Sequence, residues 1–180
     1  MEAIEYYTYE DYKMWEGDWE LIDGFPLAMA PSPSKNHQLV ASAIIANIYY
    51  QLEKSNCNRC EVIGEIDYKV CEDTILKPDV VLSCNDEGED YLTKAPEVVF
   101  EVISKSTAKR DEKFKFKIYE REKVKYYVLL YPNDLKAKIY KLANNTYIKE
   151  GDFSNEKYFF KDISCPFTLD FKEIFKRVKR

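Results

Sequence analysis

Two acids stand in stretches where an acid is costly. Asp79 lies in Lys77-Pro78-Asp79-Val80-Val81-Leu82, and Glu101 in Val98-Val99-Phe100-Glu101-Val102-Ile103-Ser104. Both runs are short, apolar and β-branched, bounded by Pro, Lys and loop residues, so each reads as a buried strand. A carboxylate inside such a strand must be neutralised, hydrogen-bonded or bound to a cation. A lysine-rich stretch, Ser106 to Lys125, follows, closed by the apolar run Tyr126 to Tyr131. Two strand acids followed by a lysine-rich helix suggest a place where a divalent cation and a polyanion could meet. Oxygen ligands favour Mg²⁺ or Mn²⁺ over zinc. If the two strands are antiparallel neighbours, Asp79 and Glu101 can converge on one ion. The plainer alternative is that Asp79 caps a strand start after Pro78 and Glu101 pairs with a lysine at the edge of the core.

Three further positions bear on the same chemistry. Asp111, Lys115 and Tyr119 fall at i, i+4 and i+8 of the expected helix and share one face. A lysine beside a reacting phosphate stabilises developing negative charge. Lys115 is the candidate, with Asp111 and Tyr119 in support. Lys105, Lys109, Arg110, Lys113 and Lys117 read as a solvated basic face that can still touch phosphates as point charges. Glu20 sits between Trp19 and Leu21 in an apolar strand. It either joins the site and holds Lys115, or faces outward by alternation. His37, the only histidine, lies in the first turn of a helix. It either contacts a phosphate or an acid, or is an ordinary polar residue at a helix start.

In order and spacing, these residues resemble the PD-(D/E)XK nuclease signature. Pro78-Asp79 supplies the first part and Glu101 the second. The lysine expected two residues after the glutamate is replaced by Ile103, and Lys115 on the following helix stands in for it. That displacement resembles the Uma-family restriction endonucleases. So do Trp19-Glu20-Leu21-Ile22-Asp23-Gly24, Met29-Ala30-Pro31-Ser32-Pro33, His37 and Val124-Lys125-Tyr126-Tyr127. The resemblance spans about residues 8 to 142, and Lys105 departs from it where the family usually has Pro. It implies a metal-dependent endonuclease that hydrolyses DNA phosphodiester bonds with water as nucleophile. Asp79 and Glu101 would hold Mg²⁺ or Mn²⁺, Lys115 would support the transition state, and Glu20 and His37 would be secondary. The alternative is a catalytically inactive nuclease-like scaffold serving as a nucleic-acid-binding or interaction protein.

The elements needed to position these residues are legible in outline. Thr8 to Trp15 predicts a short capped helix. Trp19 to Met29 predicts a hairpin turning at Asp23-Gly24. Lys35 to Lys54 carries Leu39, Ala43, Ile44, Ile48 and Leu52 at helical spacing, widened by Ala41, Ala46 and Tyr50. Strands are expected over Glu61 to Val70, Thr74 to Ser83 and Pro96 to Ser104, with Pro78 making its own strand irregular or an edge. A helix from Thr107 to Glu122, capped by Ser106 or Thr107, has a stripe of Phe114, Ile118 and Arg121. Then come strands Lys125 to Tyr131 and Ala137 to Ala143, a turn at Asn144-Asn145 into Tyr147 to Lys149, strand-like Tyr158 to Phe160, and a helix from Phe171 to Val178. This order predicts an α/β (α+β) fold: a restriction-endonuclease-like mixed sheet flanked by helices, with an N-terminal hairpin extension. With no linker or repeat in view, residues 1–180 read as one domain.

Composition sets the outer bounds. The 180 residues carry a formal net charge of −5, which argues against a non-specific nucleic-acid coat protein. A nuclease is not excluded, since its basic surface can be local. No apolar run approaches membrane-spanning length, and the acidic start Met1-Glu2-Ala3-Ile4-Glu5 is unlike a signal peptide, so a cytoplasmic protein is expected. Cys57-Asn58-Arg59-Cys60 has zinc-knuckle spacing, but no second pair follows. The five cysteines are therefore expected to be reduced. Tyr49-Tyr50, Tyr126-Tyr127 and Phe159-Phe160 are expected to place one ring inside and one outside. Leftover apolar surface could form a homodimer contact.

Overall fold

The computed structural model describes residues 5–29, 32–104 and 108–179. Met1 to Ile4, Ala30-Pro31, the Lys105 departure and the expected cap at Ser106 or Thr107 lie outside them. The chain begins with α1 (Tyr9–Tyr12), the hairpin β1 (Trp19–Ile22) and β2 (Phe25–Ala28), and the long helix α2 (Lys35–Lys54). Strands β3 (Cys60–Gly64), β4 (Tyr68–Cys71), β5 (Thr74–Leu76), β6 (Val80–Cys84) and β7 (Val98–Val102) follow. A π-helical turn, Arg110–Lys115, runs into α3 (Phe116–Arg121). The rest is β8 (Tyr126–Tyr131), a 3₁₀ turn at Pro132–Asp134, β9 (Lys136–Ala143), β10 (Thr146–Phe153), β11 (Lys157–Phe160), β12 (Phe167–Asp170) and α4 (Phe171–Phe175).

Six strands form a mixed sheet in the order β10-β9-β8-β7-β6-β3. Among the described strands of this sheet only β7 and β8 pair in parallel, and the helical segment lies between them in the chain. Four strands form a second sheet, β2-β1-β5-β4, and β11 pairs with β12. Glu61 to Val70 and Thr74 to Ser83 each prove to be two strands, one in each sheet. The chain breaks at Glu65, with φ 52, and at Lys77-Pro78-Asp79, where Pro78 has no amide hydrogen for the ladder. Asp79 therefore sits in the bend before β6, not inside the strand. The Glu65 amide donates to the Asp79 carbonyl at 3.1 Å, tying the two breaks together.

The turns follow their residues. Asp23 and Gly24 have φ 49 and 77, and Asn144 and Asn145 have φ 50 and 67; two successive positive values make the tight hairpin turn that Asp, Asn and Gly favour. In α2, Ser34 accepts a bond from the His37 amide at 3.2 Å, a standard N-cap. The buried stripe of α2 is Val40, Ala41, Ile44, Ile48 and Leu52. Leu39 and Ala43 are half-buried, while Ala46 and Tyr50 are exposed.

Alternation along the central strands divides the core in two. Val80, Leu82, Val98, Phe100 and Val102 face α2, α4 and the β11–β12 pair. Val81, Val99, Tyr127 and Leu129 face the opposite way, against Ile118, Tyr119 and Tyr147. Because both faces are covered, Tyr126 and Tyr127 are both buried, contrary to the expectation of one in and one out. Tyr49 and Tyr50 are both exposed, and only Phe159-Phe160 divides as expected. The stripe expected on the second helix is also corrected. Phe114 and Arg121 are exposed, and the buried positions are Asp111, Lys115, Ile118 and Tyr119. Within the π turn Asp111 and Lys115 are buried and Phe114 is exposed.

The cysteines also differ from expectation. Cys57 is bonded to Cys165 and Cys60 to Cys84, leaving Cys71 free and exposed. Sequence distance concealed the pairing: Cys57 and Cys165 are separated by 108 residues, and Cys60 meets Cys84 only because β3 and β6 pair in that register. Among the described residues no helix is long and apolar enough to cross a membrane.

Candidate active site

Strand geometry puts the two acids side by side. Antiparallel β6 and β7 pair Val80 with Phe100 and Val81 with Val99. Continuing that register one residue beyond β6 sets Asp79 opposite Glu101. The Val102 amide donates to Asp79 Oδ2 at 2.6 Å, holding the carboxylate against the end of β7. Oδ1 of the same group lies 3.2 Å from His37 Nε2. His37 reaches it from the first turn of α2, and its Nδ1 is buried with no hydrogen-bond partner among the described residues.

Glu101 shares its side of β7 with Val99 and Ile103, so it faces the helical segment and not α2. It is 2% exposed. Lys115 Nζ donates to its Oε1 at 3.0 Å, and the Tyr119 hydroxyl donates to the same oxygen at 3.2 Å. Lys115 is equally buried and lies 2.7 Å from Glu20 Oε1 and 3.5 Å from Asp111 Oδ1. Its three donors are thus shared among three carboxylates. Glu20 arrives from β1 in the other sheet and is fully buried, not outward-facing. It also accepts the Lys77 amide at 2.9 Å and Arg110 Nη1 at 3.0 Å. Arg110 therefore belongs to this cluster, not to the solvated basic face. No local signal marks it, because its partner is 90 residues away. Lys109, Lys113 and Lys117 are exposed, and Tyr127 donates to the Asp111 carbonyl from below at 2.9 Å.

The charges are out of balance. Four acids (Glu20, Asp79, Glu101 and Asp111) surround Lys115, Arg110 and His37. Burial alone would depress the Lys115 pKa, but Glu101, Glu20 and Asp111 outweigh it and hold the ammonium charged far above its ordinary range. Glu101 shifts up as well. Burial is the main cause, Lys115 opposes it, and Asp111, Asp79 and Glu20 add repulsion. Burial would lower the His37 pKa, but the bond to Asp79 and the charges of Asp79, Glu65 and Asp111 raise it above the ordinary imidazole value. Burial and the neighbouring Glu101 keep Tyr119 protonated as a donor.

Asp79, Glu101, His37, Lys115 and Arg110 all line one cavity of about 620 Å³. Its carboxylate oxygens are the donor set a hard divalent cation takes. Mg²⁺ characteristically uses one or two protein carboxylates and completes its shell with water and phosphate oxygens. The surplus of acid, and the reluctance of Glu101 to ionise unaided, fit a site that accepts positive charge.

Comparison with known proteins follows the same line. Residues 5–160 match the family model Uma2, described as a putative restriction endonuclease. A crystal structure of a putative nuclease belonging to DUF820, from Anabaena variabilis, superposes with a TM-score of 0.74 at 15% identity. The match covers 94% of this chain and 97% of that one, so the two share a fold. No curated protein matches the chain.

Proposed function

This chain belongs to the Uma2 family of putative restriction endonucleases, and from that premise we propose that it is a divalent-cation-dependent endonuclease hydrolysing DNA phosphodiester bonds. One observation carries the reading. Asp79 and Glu101, set opposite each other by strand register, face the same cavity as Lys115 and His37. Asp79 and Glu101 are the ligands for Mg²⁺ or Mn²⁺. A cation held there supplies Lewis-acid polarisation of a phosphodiester oxygen and lowers the pKa of water. Lys115 keeps Glu101 oriented and offers a fixed positive charge to the developing phosphorane. Glu20 positions Lys115, and Arg110 balances Glu20. His37 holds Asp79 in place from α2. Lys35, exposed and also lining the cavity, can meet a DNA backbone as a point charge despite the net charge of −5.

The test is calorimetric titration of Mn²⁺ and Mg²⁺ into wild type and Asp79→Ala, followed by cleavage of plasmid and linear DNA. Binding in wild type, lost in the variant and accompanied by cation-dependent cleavage, is the expected result. Cleavage that persists in Asp79→Ala would refute the assignment.

A second reading, an inactive nuclease-like scaffold, draws on one feature: Lys115 is 2% exposed and already engaged by three carboxylates. It expects neither cation binding nor cleavage, so the same titration separates the two.

A further inference from the structure

Far from the acidic cavity, four of the five cysteines gather at the other end of the main sheet. Asp79 precedes β6 and Cys84 ends it; five residues of strand at roughly 3.3 Å each put about 17 Å between the two places. Cys57 follows the C-terminus of α2, where its amide bonds the Leu52 carbonyl at 3.0 Å. Cys60 opens β3, directly opposite Cys84 in the antiparallel register. Cys165 comes from the loop before β12. The Sγ atoms of Cys57, Cys60 and Cys165 all lie within 4.8 Å of one another, and Cys84 is bonded to Cys60. Cys60 and Cys165 are buried, and Cys57 and Cys84 are half-buried.

We propose that these four cysteines form a tetrathiolate zinc site when reduced, and that the two disulfides are the oxidised form of the same cluster. Tetrahedral zinc–thiolate bonds of about 2.3 Å place sulfurs nearly 4 Å apart; three of these sulfurs already lie within 4.8 Å of one another, and breaking the disulfides frees each pair to separate to that spacing. Two ligands come from one Cys-x-x-Cys knuckle, Cys57 to Cys60. The second pair, invisible as a motif, is assembled by strand pairing and by the return of the C-terminal loop. The surrounding backbone is pinned. The Asn85 amide bonds the Arg59 carbonyl at 2.8 Å, and the Ser164 amide bonds Glu97 Oε2 at 2.6 Å. Soft sulfur ligands select zinc over the hard cations suited to the carboxylate cavity, so the two sites take different metals.

The interconversion balances. Two equivalents of a dithiol reductant break the Cys57–Cys165 and Cys60–Cys84 bonds, supplying four electrons and four protons and becoming disulfides themselves. Zinc then displaces the four thiol protons. In either form the cluster ties α2, β3, β6 and the C-terminal loop together.

The experiment uses the full chain, reduced under argon, stripped of metal, and titrated with Co²⁺ and then Zn²⁺. Expected are thiolate-to-cobalt charge transfer with the d–d bands of tetrahedral cobalt, displacement by a single zinc per chain, and a raised melting temperature. Cys71→Ser should behave as wild type, since Cys71 lies outside the cluster. Cys60→Ser and Cys165→Ser should each lose the spectrum. Circular dichroism of the reduced apoprotein precedes the titration. An unfolded apoprotein that refolds with zinc supports the proposal, and one that neither folds with nor binds zinc overturns it. Absence of the cobalt spectrum in fully reduced wild type, or its survival in either variant, also overturns it.

Discussion

Replacing Lys115 with Met should destabilise the protein much more than an ordinary lysine substitution. Met fills similar apolar volume, so little cavity term is expected. What is lost is the cation within 2.7 Å of Glu20, 3.0 Å of Glu101 and 3.5 Å of Asp111. These attractions do not sum, because the acids repel one another and each buried ion carries a desolvation cost. Removing one partner of a buried ion cluster is known to cost about 3–5 kcal/mol. For a chain of this size, with roughly 2–4 °C of melting temperature per kcal/mol, the expected drop is roughly 6–20 °C. The defect should depend on pH. Glu101 already has a folded pKa above its unfolded value, so its contribution is fully favourable below the unfolded carboxylate pKa and is lost as pH rises through the folded one. Without Lys115 that folded pKa climbs further. The penalty of Lys115→Met should therefore be largest at mildly alkaline pH and shrink as the buried acids take up protons. Adding Glu101→Gln should restore part of the loss by removing one uncompensated charge. Thermal unfolding followed by circular dichroism, in chelator at two pH values, measures all three. A drop below about 2 °C at alkaline pH, against the several kcal/mol expected for such a cluster, would refute the claim that Lys115 neutralises it.

Other outcomes follow from the same structure. Glu101→Gln alone should abolish cation-dependent DNA cleavage while costing less metal-free stability than Lys115→Met, because Lys115 keeps Glu20 and Asp111 as partners and burial already disfavours the Glu101 charge; cleavage assays and urea unfolding on one preparation test both. Asp86 accepts the amides of Gly88, Thr93 and Lys94 at 2.8, 2.9 and 2.6 Å. Burial raises its pKa, but those bonds win and lower it, so its stabilising contribution is present above the unfolded carboxylate pKa and lost as pH falls through the folded one. Asp86→Ala should cost about 1 kcal/mol, as loss of a capping side chain does, with faster amide exchange across residues 86–94 at neutral pH. Gly24 has φ 77, and an added Cβ would run into the Tyr6 ring. Gly24→Ala should therefore cost at least about 1–2 kcal/mol from the left-handed backbone alone, read as a shifted urea midpoint.

Much of this molecule is written locally. Asp23-Gly24 and Asn144-Asn145 make their hairpin turns because few other residues tolerate two successive positive φ values. The periodicity of α2 and the apolar runs of β6, β7 and β8 identify their elements without reference to partners. Asp79, Glu101 and Lys115 stand out in sequence because an acid in an apolar strand and a lysine on a shared helix face are locally anomalous. Tertiary structure decided what those anomalies meet. Strand register set Asp79 opposite Glu101. Packing of the two sheets brought Glu20 from β1 onto Lys115, and Arg110 back across 90 residues onto Glu20. Packing of the lysine-rich segment on the sheet buried the Asp111, Lys115 and Tyr119 face and left outside the Phe114 and Arg121 positions of the expected apolar stripe. The gathering of Cys57, Cys60, Cys84 and Cys165 was equally hidden. Hydrogen bonding and apolar periodicity act over a few residues and leave a trace in the sequence. Long-range contacts depend on the register and topology of the whole chain, which no short stretch encodes.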